Sequence, residues 1–464
     1  MKSLIKMLKK KGYLTKITDK ENDEIRYYVT PVEKKKYFKK FMAQASLLFD
    51  NLIKADKKGI FKTDSVPLIG YPTGFPVFDY SNGYRVRVPE TKEHPAYYWD
   101  NVGIFNGTFV LGIGNSGTGK TTAFVQMASE IAKSFENADI FHVDGEHSSN
   151  TQHVMDVNSW TPEMMEDRYH MLECDYVEDL YDIIVKISKE KLSNPAYKYD
   201  TGKHDEFGKP ITGIIPTIFI VDSIPTLQTK DTQDKNGEVS DQMEGQTYNM
   251  RLAIAYNTFY KRLRPVIYRS NIIVFAINHI KEKPELAFQK TQAKIQYLKT
   301  NESVPGGTGP IYLSQTFLRF IYRGKCTIEK HGFDGYKVDV QTIKSKTNRS
   351  DRIIPLIFDY TMGFDRESSL VEYAEAAGVI TGRNPYSYLK SHPDVKFNTK
   401  KIHKALEDHP ELYDWILDEC RPVLGSLLSS SPINTQKDMA MDKLDDLLSE
   451  SFETADVDKD AIAE

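Results

Sequence analysis

Short, mostly apolar runs alternate with segments of helical spacing through the middle of the chain. Seven of these runs are rich in Val, Ile, Leu and Phe, and each has the length of a single β-strand. Runs that are apolar throughout, rather than at every second position, are typical of strands buried on both faces of a sheet. The pattern predicts an α/β fold with a mostly parallel sheet covered by helices. The predicted strands lie at 107–113, 139–143, 216–221, 271–277, 316–322, 336–343 and 353–358.

The regions before and after this core have different patterns. Near the start, a basic stretch predicts a helix, a two-stranded ribbon around a polar turn at 19–24, and a long helix over 31–53. This order resembles part of a winged-helix protein, but an arm that docks on a partner is the preferred interpretation. The high charge of the tail predicts disorder beyond Leu448. The predicted divisions are a basic module at 1–60, a connector at 61–106, the core at 107–365, a small helical domain at 366–425 and a Ser-rich, then acidic tail at 426–464.

Composition and charge limit the classes of protein to which this chain can belong. The chain has 464 residues, of which 40% are hydrophobic and 27% charged, and its net charge is -4. Any nucleic-acid site must therefore be a local patch rather than a property of the whole surface. The three cysteines have no metal-site spacing, and no apolar run approaches the roughly 20 residues that span a bilayer. We expect a soluble, cytoplasmic protein without a membrane partner.

A glycine-rich segment follows the first predicted strand of the core. Residues 114–121 match G-x-x-x-x-G-K-[ST], a loop whose backbone N–H groups surround phosphates. Strand, loop and helix follow in the order that this motif requires, because residues 122–133 have helical composition. The match predicts ATP and Mg²⁺ as ligands, with Lys120 on the β- and γ-phosphates and the Thr121 hydroxyl on the metal. The predicted nucleotide-binding residues are Gly114, Asn115, Ser116, Gly117, Thr118, Gly119, Lys120, Thr121 and Thr122.

Polar residues at the ends of three other predicted strands complete the predicted nucleotide site. Asp222 ends a buried strand and is predicted to hold Mg²⁺, although a solvent-facing acid is the alternative. Glu146 follows the strand at 139–143 and is the candidate base for the attacking water. His279 lies directly after the strand predicted at 271–277, following Asn278, and is predicted to sense the γ-phosphate, the alternative being a polar strand end.

Two long polar segments interrupt the core, at 228–246 and 281–309. Polar loops longer than about 15 residues inside a compact domain are usually functional or disordered. The second segment combines lysines with aromatic residues, a composition suited to phosphate contacts and base stacking.

These motifs together resemble the RecA-type recombinases over roughly residues 70 to 425. GNSGTGKTT, FHVDGEHS, IFIVDS and FAINHI resemble four segments of that family, and KSKTNRS resembles its K-x-K segment. The resemblance implies a RecA-like ATPase core and a catalytic glutamate at Glu146. It also implies that Lys344 and Lys346 reach the ATP of a neighbouring subunit, so we expect them to act in catalysis beside Lys120.

The resemblance further implies a DNA-dependent ATPase that forms helical filaments on single-stranded DNA and pairs it with duplex DNA. The segments at 228–246 and 281–309 would be its DNA-binding loops, and single-strand-binding and mediator proteins would be possible partners. Two alternatives remain, a hexameric DnaB-type helicase and a RecA-fold regulatory ATPase without a DNA role. The residues expected to bind DNA are Lys281, Lys283, Phe288, Lys290, Lys294, Gly306 and Gly307.

Overall fold

The computed structural model describes most of the predicted core and part of each flanking region. Residues 67–430 form one compact unit, and residues 1–66 together with 431–464 form a second. In the second unit the predicted pair of strands is confirmed, since Thr15–Thr18 and Ile25–Tyr28 pair antiparallel. The flanking helices predicted there, and the tail, lie outside the described residues. The described residues are 15–18, 25–28, 67–146, 149–230, 245–282, 298, 302–305, 309–326 and 335–429.

The described elements alternate between strands and helices through the larger unit. The α-helices are α1 Pro76–Asn82, α2 Lys120–Lys133, α3 Thr151–Asn158, α4 Pro162–Arg168, α5 Val177–Ser193, α6 Gly245–Ser270, α7 Gly309–Leu313, α8 Arg366–Ala376, α9 Ile402–Asp408 and α10 Leu412–Gly425. The strands are β1 Thr15–Thr18, β2 Ile25–Tyr28, β3 Gly70–Tyr71, β4 Tyr84–Val88, β5 Tyr97–Asn101, β6 Ile104–Phe105, β7 Phe109–Gly114, β8 Ile140–Asp144, β9 Tyr169–Leu172, β10 Lys198–His204, β11 Pro210–Ile214, β12 Thr217–Asp222, β13 Ile272–His279, β14 Lys281–Glu282, β15 Glu302–Ser303, β16 Thr316–Cys326, β17 Gly335–Ser345, β18 Arg352–Asp359, β19 Gly363–Asp365, β20 Ile380–Thr381, β21 Ser387–Leu389 and β22 His392–Phe397.

A nine-stranded sheet forms the centre of the larger unit, in the order β19-β18-β17-β16-β7-β13-β12-β8-β9. Strands β16, β7, β13, β12, β8 and β9 pair parallel with their neighbours. Strands β17, β18 and β19 add an antiparallel extension. All seven apolar runs predicted as strands are members of this sheet, which confirms the mostly parallel α/β core.

The two faces of the sheet bury separate hydrophobic clusters. Ile218 and Ile220 of β12 pack on the same side as Phe124 of α2. The alternate residues Phe219 and Val221 belong to the cluster that α5 and α6 cover. Because both faces of β12 are buried, this strand is apolar throughout.

The region at 366–425 differs from the all-helical expectation. It contains α8, α9 and α10, but β20, β21 and β22 form a three-stranded antiparallel sheet between the first two. That part of the prediction is wrong because the strands are short and contain polar residues, so they lack a clear period. None of the helices in the described part of the chain is both long and apolar enough to cross a membrane.

Candidate nucleotide-binding site

The glycine-rich segment connects the end of β7 to the start of α2, as the sequence predicts. Gly117 and Gly119 have φ angles of +73° and +78°, a backbone conformation that side chains with a Cβ rarely adopt. At Gly119 a Cβ would also lie 2.9 Å from the ring of Phe364. Residue 119 is therefore suited to glycine for two reasons: the positive φ angle of the loop and the close packing against Phe364.

Lys120 is held inside this loop. Its Nζ donates hydrogen bonds to the carbonyl oxygens of Asn115, at 2.8 Å, and Gly114, at 3.2 Å. The residue is only 5% exposed, and burial lowers the pKa of its ammonium group. Thr118 also donates its hydroxyl to the Asn115 carbonyl, at 2.9 Å. The carbonyl oxygens of the loop thus bind the ammonium group of Lys120. The phosphate groups of a bound nucleotide would replace these carbonyl oxygens as its partners.

Thr121 and Asp222 bring two oxygen ligands together. The Thr121 hydroxyl, in the first turn of α2, donates a hydrogen bond to Oδ2 of Asp222 at the end of β12. Burial raises the pKa of Asp222, and the charges of Glu146 and Asp144 add to this effect, while the bond from Thr121 opposes it. A hydroxyl beside a carboxylate suits a hard cation such as Mg²⁺, which would relieve the buried negative charge.

Glu146 lies beside this pair and accepts two hydrogen bonds on Oε1. One comes from Ser223 Oγ and one from His279 Nε2, each at 2.8 Å. Burial alone would raise the pKa of Glu146, but these hydrogen bonds and the charge of Lys120 outweigh it and lower the pKa. The carboxylate is therefore ionised near neutral pH and can accept a proton.

Parallel pairing explains why residues so distant in sequence meet. Asp222 stands opposite Asp144 in the β12–β8 register, and His279 stands opposite Gly114 in the β13–β7 register. The carboxyl ends of these four strands consequently share one edge of the sheet, where α/β proteins place their ligands. The Gly145 N–H donates to the Asp222 carbonyl at 2.7 Å and joins two of these ends.

The structure does not bring Lys344 and Lys346 to this site. Lys344 pairs with Phe317, and Phe317 pairs with Leu111, three residues before the end of β7. Lys346 lies farther still from the glycine-rich loop, because its N–H donates to the carbonyl of Gln315. Both lysines therefore lie towards the opposite edge of the sheet, where the parallel strands begin.

Most of the residues expected to bind DNA lie outside the described part of the chain. The backbone of Lys281 is described, and it pairs with Ser303 where the second polar segment leaves and rejoins the core. Close to that point, Asn278 Nδ2 donates to the carbonyl of Pro305 at 2.9 Å. The end of β13 is thus bonded both to Glu146, through His279, and to the end of the segment. The expected residues outside the described part are Lys283, Phe288, Lys290, Lys294, Gly306 and Gly307.

Sequence reasoning missed an aromatic cluster against the glycine-rich loop. The Tyr336 hydroxyl donates to the carbonyl of Gly117 at 2.9 Å, and its ring stacks on Phe358 with centroids 4.6 Å apart. Tyr360 completes the cluster and leaves 58% of its surface exposed. Aromatic residues at strand ends give no specific signal in a sequence, so only the fold reveals that they support the loop.

The fold is α/β with a mostly parallel central sheet, and a glycine-rich segment of the phosphate-binding pattern lies at the carboxyl edge of that sheet. No model of a known protein family matches the chain. The chain is 23% identical over 290 residues to the protein RecA of Streptococcus uberis, a match that covers 61% of this chain and 69% of that protein. This distant similarity supports a RecA-like family relationship and agrees with the observed sheet.

Proposed function

We propose that this protein is an ATP-dependent DNA recombinase that forms filaments on single-stranded DNA and catalyses homologous pairing and strand exchange. One observation carries the proposal. The candidate base Glu146 is hydrogen-bonded to His279, which ends the strand from which the basic, aromatic segment at 281–309 departs. A change at the γ-phosphate would therefore alter a contact next to the segment proposed to bind DNA.

The residues at the carboxyl edge support hydrolysis of ATP. The N–H groups of the glycine-rich loop and Lys120 would bind the phosphates, and Glu146 would accept a proton from the attacking water. The water oxygen bonds to the γ-phosphorus as the bond from that phosphorus to the bridging oxygen breaks. Mg²⁺, held through Thr121 and Asp222, would neutralise charge on the phosphates. His279 would exchange its bond to Glu146 for a contact that depends on the γ-phosphate.

The position of Lys344 and Lys346 supports an ATP site shared between subunits. They lie towards the edge of the sheet opposite their own glycine-rich loop, so within one subunit they are remote from the bound phosphates. In a head-to-tail assembly the amino edge of one subunit would face the carboxyl edge of the next. The two lysines would then act on the neighbour's ATP, as the sequence resemblance implies.

The sequence gives a more specific resemblance that we include in the proposal. The run PGGTGPIYLSQTFLRFIYR at 305–323 is similar to a segment of the phage strand-exchange recombinase UvsX. His279 also matches the histidine of that protein. We infer a phage-encoded protein that acts in the host cytoplasm with single-strand-binding and mediator proteins.

Mixed subunits test the interfacial site. Lys344→Ala combined with Lys346→Ala should abolish DNA-stimulated ATP hydrolysis while the subunit still binds nucleotide. Adding subunits that carry Glu146→Gln should restore part of the activity, because some interfaces then join an intact Glu146 to intact lysines. If the double variant alone stays active, the two lysines are surface residues without a catalytic role.

Electron microscopy with an ATP analogue and single-stranded DNA tests the assembly. Helical filaments would support the proposal, and closed rings would favour a DnaB-type helicase. Isolated subunits with full ATPase activity would contradict both and favour a regulatory ATPase.

A further inference from the structure

A cleft opens at the amino edge of the sheet, next to Lys346. It has a volume of about 420 Å³ and lies between the last turns of α6, the start of β16 and the residues after β17. Apolar walls from Pro265 and Tyr268 meet polar groups from Gln315 and Thr316. A concave, largely apolar site with a few convergent polar groups is the usual form of a ligand pocket.

Two cations line this cleft without a carboxylate beside them. Arg264 and Lys346 both contribute to its wall, and Arg264 is half-buried on α6. Among the described residues, neither side chain makes an ion pair or a hydrogen bond. Burial lowers the pKa of Lys346, and the charge of Arg264 lowers it further. The cleft therefore has a positive potential that no acid of the described part of the subunit balances.

Lys344 belongs to the same group of cations, because burial, and then the charges of Lys346 and Arg264, lower its pKa to about 8. Its Nζ donates hydrogen bonds to the carbonyl oxygens of Ile311, at 2.9 Å, and Tyr312, at 2.8 Å. These carbonyls belong to α7, the short helix that follows the segment at 281–309. A cation that binds the last carbonyls of a helix satisfies acceptors that have no partner within the helix.

We propose that Arg264 is a third cation that contacts the phosphates of ATP bound to the neighbouring subunit, beside Lys344 and Lys346. This inference rests on the interfacial site of the proposed function. The ligand is a triphosphate, and the guanidinium is suited to it because a planar fork of donors binds two phosphate oxygens at once.

Substitution of Arg264 tests the inference. Arg264→Ala should lower DNA-stimulated turnover by about 10² or more, the effect expected when one stabilising donor is lost, with nucleotide binding by the isolated subunit unchanged. Arg264→Lys should restore part of the rate. Arg262→Ala is the matched control, because this exposed residue lies about 200° around the same helix. Turnover near that of the unmodified protein in Arg264→Ala would overturn the role of Arg264.

Mixing separates this inference from the proposed function. Subunits with Arg264→Ala keep the glycine-rich loop, and subunits with Lys120→Ala keep Arg264, so their mixture should recover activity at the interfaces that combine both. Lys346→Ala mixed with Lys120→Ala is the reference. Recovery in the reference, together with full activity of Arg264→Ala alone, would refute only the role of Arg264. No recovery in either mixture would refute the interfacial site itself. If Arg264→Ala fails to fold, as thermal unfolding would show, Arg264→Gln replaces it in the same mixtures.

Discussion

The two edges of the central sheet differ in whether their charged groups have partners in the same subunit. At the carboxyl edge, the acids have hydrogen-bond partners in their own subunit: Thr121 donates to Asp222, and His279 bonds to Glu146. At the amino edge, Arg264 and Lys346 line a cleft without an acidic partner among the described residues. The first edge is assembled within one subunit, whereas the second has unbalanced positive charge that a polyanion from outside would satisfy.

Under the proposed function, this contrast would make a single subunit a poor ATPase. Its candidate base, metal ligands and glycine-rich loop lie together, but the cations of its amino edge lie at the far end of the sheet. Substitutions at the carboxyl edge should therefore affect each subunit by itself. Those at the amino edge should affect only assembled subunits.

The largest effect is expected from Lys120→Ala. Removing the ammonium leaves the phosphates without their main cation, and turnover should fall by about 10³ or more. ATP hydrolysis is measured with and without DNA. Lys133→Ala, at the other end of the same helix, is the control for loss of a lysine. Turnover of Lys120→Ala within tenfold of the control would contradict the glycine-rich loop as the phosphate site.

A smaller but still large loss is expected from Glu146→Gln. The amide keeps the shape of the side chain but cannot accept the proton, and general-base catalysis typically contributes about 10²–10⁴ in rate. ATP and DNA should still bind, as measured in equilibrium binding experiments. Glu173→Gln provides a matched control, because Glu173 also follows a strand of the sheet but is exposed. A rate close to that control would show that another group activates the water.

Two glycine substitutions sharpen the description of the loop. Gly119→Ala and Gly117→Ala both force alanine to a positive φ, which costs about 1–3 kcal/mol. Only at Gly119 would the new Cβ also approach the rings of Phe364 and Phe358. Chemical unfolding should therefore show a greater loss of stability for Gly119→Ala. Equal losses of stability would mean that the rings of Phe364 and Phe358 can move away from the new Cβ at no cost in free energy.

The smallest effect concerns a buried lysine at the amino edge. Lys191 is 1% exposed and donates to Thr217 Oγ1 and the Asn271 carbonyl, and burial lowers its pKa to about 7. Between this value and the unfolded value of 10.5, the unfolded chain binds more protons. The free energy of unfolding should therefore rise with pH across that window, by about 1 kcal/mol per unit.

Lys191→Met tests the assignment, since it removes the titrating group while keeping most of the apolar stem. The difference in unfolding free energy between the variant and the unmodified protein should change between pH 7 and pH 9. A constant difference would show that Lys191 does not titrate in this range.

The sequence predicted the central sheet well because its strands are buried on both faces. The wholly apolar run that contains Phe219 and Val221 fits no other environment. The hairpins at 84–101 and 198–214 were missed, since their strands mix exposed and buried residues without a clear period. The connector at 61–106 likewise contains α1, β4 and β5.

Site prediction had the same limit. Lys120, Thr121, Asp222 and Glu146 belong to motifs whose spacing follows from their chemistry. Arg264 belongs to no motif, and it meets Lys346 only because α6 ends beside the start of β16. Contacts that depend on the register of distant elements cannot be recognised from one sequence.

Strand β17 gives the molecule a mechanical property. Tyr336, near its start, bonds to the glycine-rich loop, and Lys344, near its end, bonds to α7. The two residues are about 26 Å apart along an extended backbone, which bends but hardly stretches. In the proposed filament, each such strand would be a stiff strut between one ATP and the next. A displacement at one ATP site would then be transmitted almost undiminished to the neighbouring ATP site. Successive ATP sites along the filament would therefore be mechanically coupled.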